Sequence, residues 1–584
     1  MMRAKLQQVA SLPFYPLLVA SHSVLHLYVH NVELLTLSAI LVPLGIVLGS
    51  VLAIYLLCRL ALKADTSAGI IATSVAAAIL YYGYVYDFVG GILLQGVEVN
   101  PMLAVGLWLL PFLAVIAFAV WKRLDVPSAN GYLNLIALAL VVTTLLPLLR
   151  LPAPAAASAP QNEVINISPP AKGDSLGARI ELEEAPDVYY IILDGYARED
   201  ILLDYGFDNS EFLDGLRARG FYIADESHSN YSQTSLSLTS SLNMDYLDRI
   251  IDLEAAEEQG TGSLYPLIRN NRVLQEFKGR GYKTIHLASA WLATESNEFA
   301  DQTMGQNPIS EFGAMLFNRT VLRPFAPDFP LRQQQRTILA AFEQLKRLPQ
   351  DDAPTFAFAH IVAPHPPFIF DRDGNLPVTG EEAEFFGGSW RPLEAYADMV
   401  YYINQQVEAT VDSILAQSDT PPIIIIQSDH GPGPFGMHVQ ERMPILNAYY
   451  LPEGGNEYLY LTITPVNTFR LIFDLYFGGE FGLLEDEQFF SFYETPFTFC
   501  YVIPGMLEEE SWPMRAASTL EENSYRVDPT SKCNTELFLP VNAGLYEVDR
   551  SRTVWAGPVL TLQLPVQTNE DYLFRARVNH ILSD

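Results

Sequence analysis

Asp429 and His430 stand side by side directly after a run of four isoleucines, in the stretch Pro421–Gly431, PPIIIIQSDHG. A carboxylate and an imidazole adjacent on one turn can both face a single divalent cation. A second apolar run, Asp187–Leu193 (DVYYIIL), delivers Asp194 and then Gly195 in the same way. Between these two runs lies Asn230–Asn243, NYSQTSLSLTSSLN, crowded with hydroxyls and helix-compatible in its second half. A Ser or Thr that opens a helix meets unpaired backbone N–H groups and the positive end of the helix dipole. Both lower the cost of an alkoxide and bind an anionic ester, and a cation on the same oxygen lowers its pKa further. The plain alternative is a capping hydroxyl. Two acidic turns nearby favour the nucleophile.

Those groups need strands to carry them. Ile423–Ile426 and Val188–Leu193 read as strands buried on both faces, as in a parallel sheet. Ligands of open α/β sheets bind beyond the carboxyl ends of such strands, where both acids fall. The rest of the region alternates in the manner of a parallel sheet covered by helices. Helices are predicted over Asn209–Arg219, Leu264–Lys278, Leu393–Leu415 and Pro465–Tyr476. Further strands are predicted at Phe221–Ala224, Tyr282–Leu287 and Thr355–Val362. Residues 187–489 are read as one α/β domain. Residues 490–584 are read as a small β-rich appendage, with candidate strands at Val559–Leu564 and Tyr572–Val578. The sequence contains no internal repeat and no P-loop motif.

The first 150 residues differ in kind. The chain of 584 residues is 49% hydrophobic, with a mean hydropathy of +0.15. Five apolar stretches, about 12–31, 35–58, 69–88, 102–121 and 131–150, approach the roughly 20 residues that cross a bilayer as a helix. Arg3 and Lys5, Arg59 and Lys63, and Lys122 and Arg123 fall in alternate loops, and Glu33, Asp87 and Glu98 in the others. The positive-inside rule then places everything after Arg150 outside the cytoplasm, on an integral protein of the cell or inner membrane. Residues 151–186, rich in Pro, Ala and Ser, read as a linker. His22, His26 and His30 recur on one helix face; a polar stripe toward neighbouring helices is the favoured reading over a metal or proton site.

The net charge of −32 is unevenly spread. Residues 1–150 hold seven basic and five acidic groups, and the remainder 28 and 62. So acidic a domain argues against nucleic acid as a partner. The expected partner on these grounds is the lipid bilayer. Cys58 falls in an apolar stretch, while Cys500 and Cys533 pair or stay free with equal expectation.

From about Asp187 to Tyr476 the chain resembles the sulfatase-like branch of the alkaline phosphatase superfamily. The resemblance rests on LDG at Asp194, a helix-opening hydroxyl, the PHPP-type turn and the SDHG turn, in that order. In that family a Ser follows the nucleophile by three positions, as in Thr234-Ser235-Leu236-Ser237. The resemblance implies Thr234 as nucleophile, with Ser232 and Ser235 as fallbacks. It implies Asp194, Thr234, Asp429 and His430 as ligands of a divalent metal, for which such donors suit Zn or Mn. It also implies His365, in Ala363–Pro367, and His438 as substrate-side histidines. His360 ranks below them, because a strand histidine is more often a satisfied core residue. Sulfatases proper carry C/S-x-P-x-R, whose Cys or Ser becomes formylglycine. The corresponding run Thr-Ser-Leu-Ser-Leu has no Cys, Pro or Arg, and a threonine cannot become that aldehyde, which argues against sulfate esters. The layout of apolar helices, linker and domain is similar to that of lipoteichoic acid synthases and phosphoethanolamine transferases. The expectation is a metal-dependent hydrolase or transferase of phosphate esters, set against a sulfuric ester hydrolase or a non-catalytic envelope binding protein.

Overall fold

The computed structural model describes residues 12–32, 35, 37–89, 100–149, 171–182, 184–305, 309–348, 353–377, 390, 392–433, 439–493 and 495–502. The amino-terminal part comprises α1 (Tyr15–Val29), α2 (Leu37–Leu62), α3 (Asp65–Leu80), α4 (Tyr82–Phe88), α5 (Pro101–Lys122) and α6 (Pro127–Leu145). Among the described residues three helices are long and apolar enough to cross a membrane: Ala39–Leu62, Pro101–Lys122 and Pro127–Leu148. The span expected over 69–88 is instead the pair α3–α4, bent by 49°. The first expected span yields only 15 helical residues, α1. That is about 22 Å of helix, short of the roughly 30 Å of a hydrocarbon core. Its buried residues Ala20, Ser23, Val24 and Leu27 face the rest of the protein. Two of the three striped histidines also face the bundle, while His30 is exposed. His22 Nδ1 lies 2.7 Å from the Tyr81 hydroxyl, and the His26 ring meets Tyr84 edge-on.

The second part is built on a seven-stranded sheet: β1 (Val188–Leu193), β2 (Tyr222–Ile223), β3 (Lys283–Leu287), β4 (Gln302–Met304), β5 (Thr355–Ile361), β6 (Ile423–Gln427) and β7 (Asn447–Tyr450). The order is β2-β7-β6-β1-β5-β3-β4. The strands from β6 to β4 are parallel; β7 runs antiparallel to β6, and β2 antiparallel to β7. β1, β5 and β6 are buried along their whole length, which is why their apolar residues run without interruption. Side chains alternate across the sheet. Tyr189, Ile191, Leu193, Ala357, Ala359, Ile424 and Ile426 enter one core layer. Val188, Tyr190, Ile192, Phe356, Phe358, Ile423 and Ile425 enter the other.

Helices cover both faces. They include α7 (Thr234–Asn243), α8 (Tyr265–Arg269), α9 (Arg272–Gly279), α10 (Glu311–Asn318), α11 (Phe329–Leu345), α12 (Leu393–Gln417) and α13 (Pro465–Phe477). α11 and α12 bury apolar side chains in the Tyr189 layer; α7, α9, α10 and α13 do so in the Val188 layer. Val24 and Leu27 of α1 and Ile40 of α2 belong to that second layer too, so the apolar bundle and the sheet domain share a core. The single helix expected over Leu264–Lys278 is broken between α8 and α9. Asn271 starts a new helix there, its side chain accepting from the Leu274 N–H at 2.7 Å.

Two boundaries move. The last part of the expected linker lies along the domain: Gly173 N–H bonds to Phe481 O, and Asp174 bridges to Leu483. The buried Arg470 holds this join, donating to Ala171, Phe481, Gly482 and Met244 carbonyls. The hairpin β8 (Phe489–Phe492) with β9 (Thr495–Tyr501) straddles the expected domain edge and packs behind α7. Cys500 is disulfide-bonded and Cys58 is free. Cys533 and the candidate strands at Val559–Leu564 and Tyr572–Val578 lie outside the described residues.

Candidate metal centre and nucleophile

Three rows of side chains on the Val188 face of the sheet converge on one place. Val188, Tyr190 and Ile192 lead to Asp194; Phe356 and Phe358 lead to His360; Ile423 and Ile425 lead to Gln427 and then Asp429. Ile192 pairs with both His360 and Gln427, so the three ends lie abreast on neighbouring parallel strands. Ligand atoms of Asp194, His360 and Asp429 fall within 4.8 Å of one another, and all three residues are buried. Asp194 Oδ1, His360 Nε2 and Asp429 Oδ2 have no hydrogen-bond partner. Buried polar atoms are nearly always paired, so three orphans aimed at one spot call for a ligand. Two carboxylate oxygens and an imidazole nitrogen fit a divalent cation.

Local hydrogen bonds fix how these groups point. His360 Nδ1 lies 2.8 Å from Thr294 Oγ1, which leaves Nε2 toward the cluster. Gly195 takes φ +75°, a turn open to glycine, and its N–H donates to Asp429 Oδ1 at 3.1 Å. His430 Nδ1 is 2.9 Å from Gly431 O. A carbonyl only accepts, so Nδ1 carries the proton and Nε2 presents its lone pair. That lone pair is 3.0 Å from Thr234 Oγ1, 3.3 Å from Asp429 Oδ2 and 3.5 Å from Asp194 Oδ1.

Thr234 is the first residue of α7, and between Ser229 and Leu247 it alone is not buried. The fallback hydroxyls are occupied or hidden: Ser232 Oγ exchanges hydrogen bonds with Ser491 of β8, and Ser235 is buried. Gln233 donates to Ser491 and Phe492, so the hairpin braces the turn that holds Thr234. Arg442, itself buried, ties the two motifs together. Its Nε donates to Ser232 O at 2.7 Å and its Nη1 to Gly431 O at 3.0 Å.

The electrostatics follow from burial. Burial and the Asp194 carboxylate push Asp429 up to about 7. Burial also opposes ionisation of Asp194, yet His365, His360 and His430 hold it well below the usual carboxylate range. Burial, reinforced by Arg442, depresses His430. Two buried carboxylates this close share either one proton or one cation.

The residues singled out in the sequence meet here with one addition and one exception. Asp194, Thr234, Asp429 and His430 converge. His365 stands next to them, its ring 6.3 Å from that of His430 and edge-on to Trp390 at 5.1 Å. His438 lies outside the described residues. His360, ranked as a core residue, is half of one: its Nδ1 is satisfied and its Nε2 belongs to the cluster. Its parity with Phe356 and Phe358 was readable; that this face carries the site was not. Arg442 had no sequence signal beyond its place eleven residues after Gly431.

The Sulfatase family model matches residues 186–469. The chain carries a sulfatase-family domain. No curated protein matches the chain. Among solved structures, the zinc complex of the C-terminal periplasmic domain of EcEptC from Escherichia coli is 11% identical over 57% of this chain and 96% of that one, with a TM-score of 0.36. The integral membrane protein lipooligosaccharide phosphoethanolamine transferase A from Neisseria meningitidis is 13% identical over 77% of this chain and 94% of that one, with a TM-score of 0.35. A 2-O GAG sulfatase is 12% identical over 50% of this chain and 70% of that one, with a TM-score of 0.33. The sulfatase domain accounts for the order of the motifs along the chain, from Asp194 to the SDHG turn.

Proposed function

We propose that the protein is a membrane-anchored, divalent-cation-dependent enzyme that hydrolyses or transfers phosphate esters through Thr234, with its catalytic domain outside the cytoplasm. The observation that carries this is the single reachable hydroxyl of a buried segment, set 3.0 Å from the His430 lone pair beside three orphaned ligand atoms. Asp194, Asp429, His430 and Thr234 Oγ1 would hold the cation, with His360 Nε2 beside them. Zn or Mn suits these donors. A bound cation supplies charge neutralisation and a lowered hydroxyl pKa. The Thr234 hydroxyl gives up its proton to water, and its oxygen bonds to phosphorus as the bond from phosphorus to the leaving oxygen breaks. His365 donates Nδ1–H to Pro366 O at 2.7 Å; in the doubly protonated ring Nε2–H gives its proton to the leaving oxygen and takes one back from the water or acceptor hydroxyl that follows. His438 is assigned the same neighbourhood from its motif. Water or an acceptor hydroxyl then releases the phosphothreonine. The substrate class proposed is a phosphodiester such as a lipid head group, which suits a domain joined to apolar helices.

The test is turnover of chromogenic phosphomonoester, phosphodiester and sulfate esters by the detergent-purified full chain with Zn or Mn, beside Thr234→Ala. Diester cleavage that disappears in a folded Thr234→Ala protein is the expected outcome. Unchanged turnover in that variant would remove Thr234 from the reaction. The sulfatase-family match keeps a sulfuric ester hydrolase as the second reading, and cleavage of the sulfate ester would favour it.

A further inference from the structure

The segment between α10 and α11 has a composition unlike the rest of the sulfatase domain. Phe317–Arg336, FNRTVLRPFAPDFPLRQQQR, holds four arginines and one acid, in a region after residue 150 that carries 28 basic and 62 acidic groups. On it, Leu322, Phe325 and Phe329 are 50%, 62% and 38% exposed. Large apolar side chains clustered on a surface mark a place where something else covers them.

The structure indicates what that is. This segment is hydrogen-bonded to the apolar bundle at its backbone. Gly83 N–H donates to Arg319 O, and Val321 N–H to Ile79 O, both at 2.9 Å. Val321 is buried with Tyr82 of α4 and Val105 of α5. Arg319 pairs with Asp87 and lies over the Tyr84 ring at 5.2 Å, and Arg323 Nη1 is 3.8 Å from Asp87. These partners sit at the bend between α3 and α4 and the first turns of α5, the end of the bundle away from Arg59, Lys63, Lys122 and Arg123. Leu37 and Leu41, 61% and 60% exposed, open α2 at the same end.

We propose that residues 320–329 form an interfacial wedge. Leu322, Phe325 and Phe329 enter the acyl boundary of the leaflet facing the domain, and Arg323 lies at the level of the lipid phosphates. Within the wedge stand one arginine, Arg323, and one acid, Asp328, with Arg319, Arg332 and Arg336 on its flanks; apolar side chains flanked by arginine suit a bilayer interface, and arginine stems reach the headgroup while their carbons stay in apolar surroundings. The wedge rests on the reading of α2, α5 and α6 as membrane spans. It adds a second attachment point, on the domain itself, that holds the sulfatase domain against the lipid.

The test uses the full chain in nanodiscs of phosphatidylethanolamine and phosphatidylglycerol, with Cys58→Ser to remove the free thiol. Single spin labels are placed through Leu322→Cys and Phe325→Cys. Leu41→Cys on α2 serves as the lipid reference. Leu203→Cys, 51% exposed beside Ile201 and Leu202 of the opposite core layer, serves as the water reference. Collision with oxygen and with a water-soluble nickel chelate is read at each site. The expected result is a shift at Leu322 and Phe325 toward oxygen and away from nickel, in the direction of Leu41. Nickel accessibility at both sites equal to that at Leu203, with Leu41 still in lipid, would overturn the wedge and leave the spans standing. A water-exposed Leu41 would overturn the spans and the wedge together.

Discussion

Replacing a ligand of the strand-end cluster should make the metal-free protein more stable. Asp429→Asn is the sharpest case. Asparagine keeps an oxygen to accept the Gly195 N–H, and its amide can donate to the His430 lone pair 3.3 Å from Asp429 Oδ2. The Gly195 bond is kept, while the contact between two carboxylates within 4.8 Å disappears. At that distance and an effective dielectric constant of roughly 20, two unit charges repel by about 3 kcal/mol. Asp429 pushed up to about 7 gives the same order at pH 8, some 4 kcal/mol at about 1.36 kcal/mol per unit. The sign follows from the raised carboxyl. Folding costs most above about pH 7, and the penalty vanishes below about pH 4, where Asp429 is protonated folded or unfolded. For a domain of this size 1 kcal/mol moves the transition by about 2–4 °C. Asp429→Asn treated with a chelator should therefore melt roughly 6–12 °C above the wild type at pH 8. Added zinc should reverse the order, because the wild type gains about 4 kcal/mol at a thousandfold excess over its Kd and the variant little. Tryptophan fluorescence reads the melt, since Trp291 and Trp390 lie edge-on to His360 and His365. A variant that melts at or below the wild type without metal would refute the reasoning that the site stores like-charge repulsion for a cation to relieve.

Thr294→Val removes the oxygen 2.8 Å from His360 Nδ1 while keeping the volume. Loss of such an orienting partner should weaken cation affinity about 10–100-fold, measured by chelator competition; a lowered melt with unchanged affinity would reduce Thr294 to a packing role. His228 is pushed down to about 3 by burial and by Arg198, whose guanidinium donates to Nε2 at 3.1 Å. It stays neutral when folded and takes up a proton when unfolded below about pH 6.5, so stability falls as pH drops through that window. His228→Asn should flatten the decline in melting temperature between about pH 6.5 and 4, and identical slopes in variant and wild type would remove His228 from the acid response.

The sheet and most of the site were legible because buried parallel strands leave a strong local mark. Val188–Leu193, Thr355–Ile361 and Ile423–Gln427 are continuous apolar runs, and their polar ends name Asp194 and Asp429 directly. Register between strands leaves no such mark. Only pairing shows that Ile192 stands level with His360 and Gln427, and that pairing turns a core histidine into a neighbour of both acids. The break at Asn271 was a local signal that an otherwise helical pattern concealed. The short α1 was misjudged for a different reason: hydropathy counts apolar residues, and those of α1 are buried by protein as well as suited to lipid.

The same construction that buries the candidate ligands leaves the proposed nucleophile within reach. Asp194, Asp429 and His430 are buried just beyond the strand ends, where desolvation raises the value of any cation between them. Thr234 sits at the rim, on the first turn of α7, where neighbours on both sides are buried. Arg442 and the β8–β9 hairpin hold that rim from behind, through Ser232 and Gln233, without covering the hydroxyl. Charge is therefore gathered on one side of Thr234, the single partly exposed residue between Ser229 and Leu247. Two buried carboxylates, each with an unpaired oxygen, beneath a single reachable hydroxyl are what the proposed covalent step at that oxygen calls for.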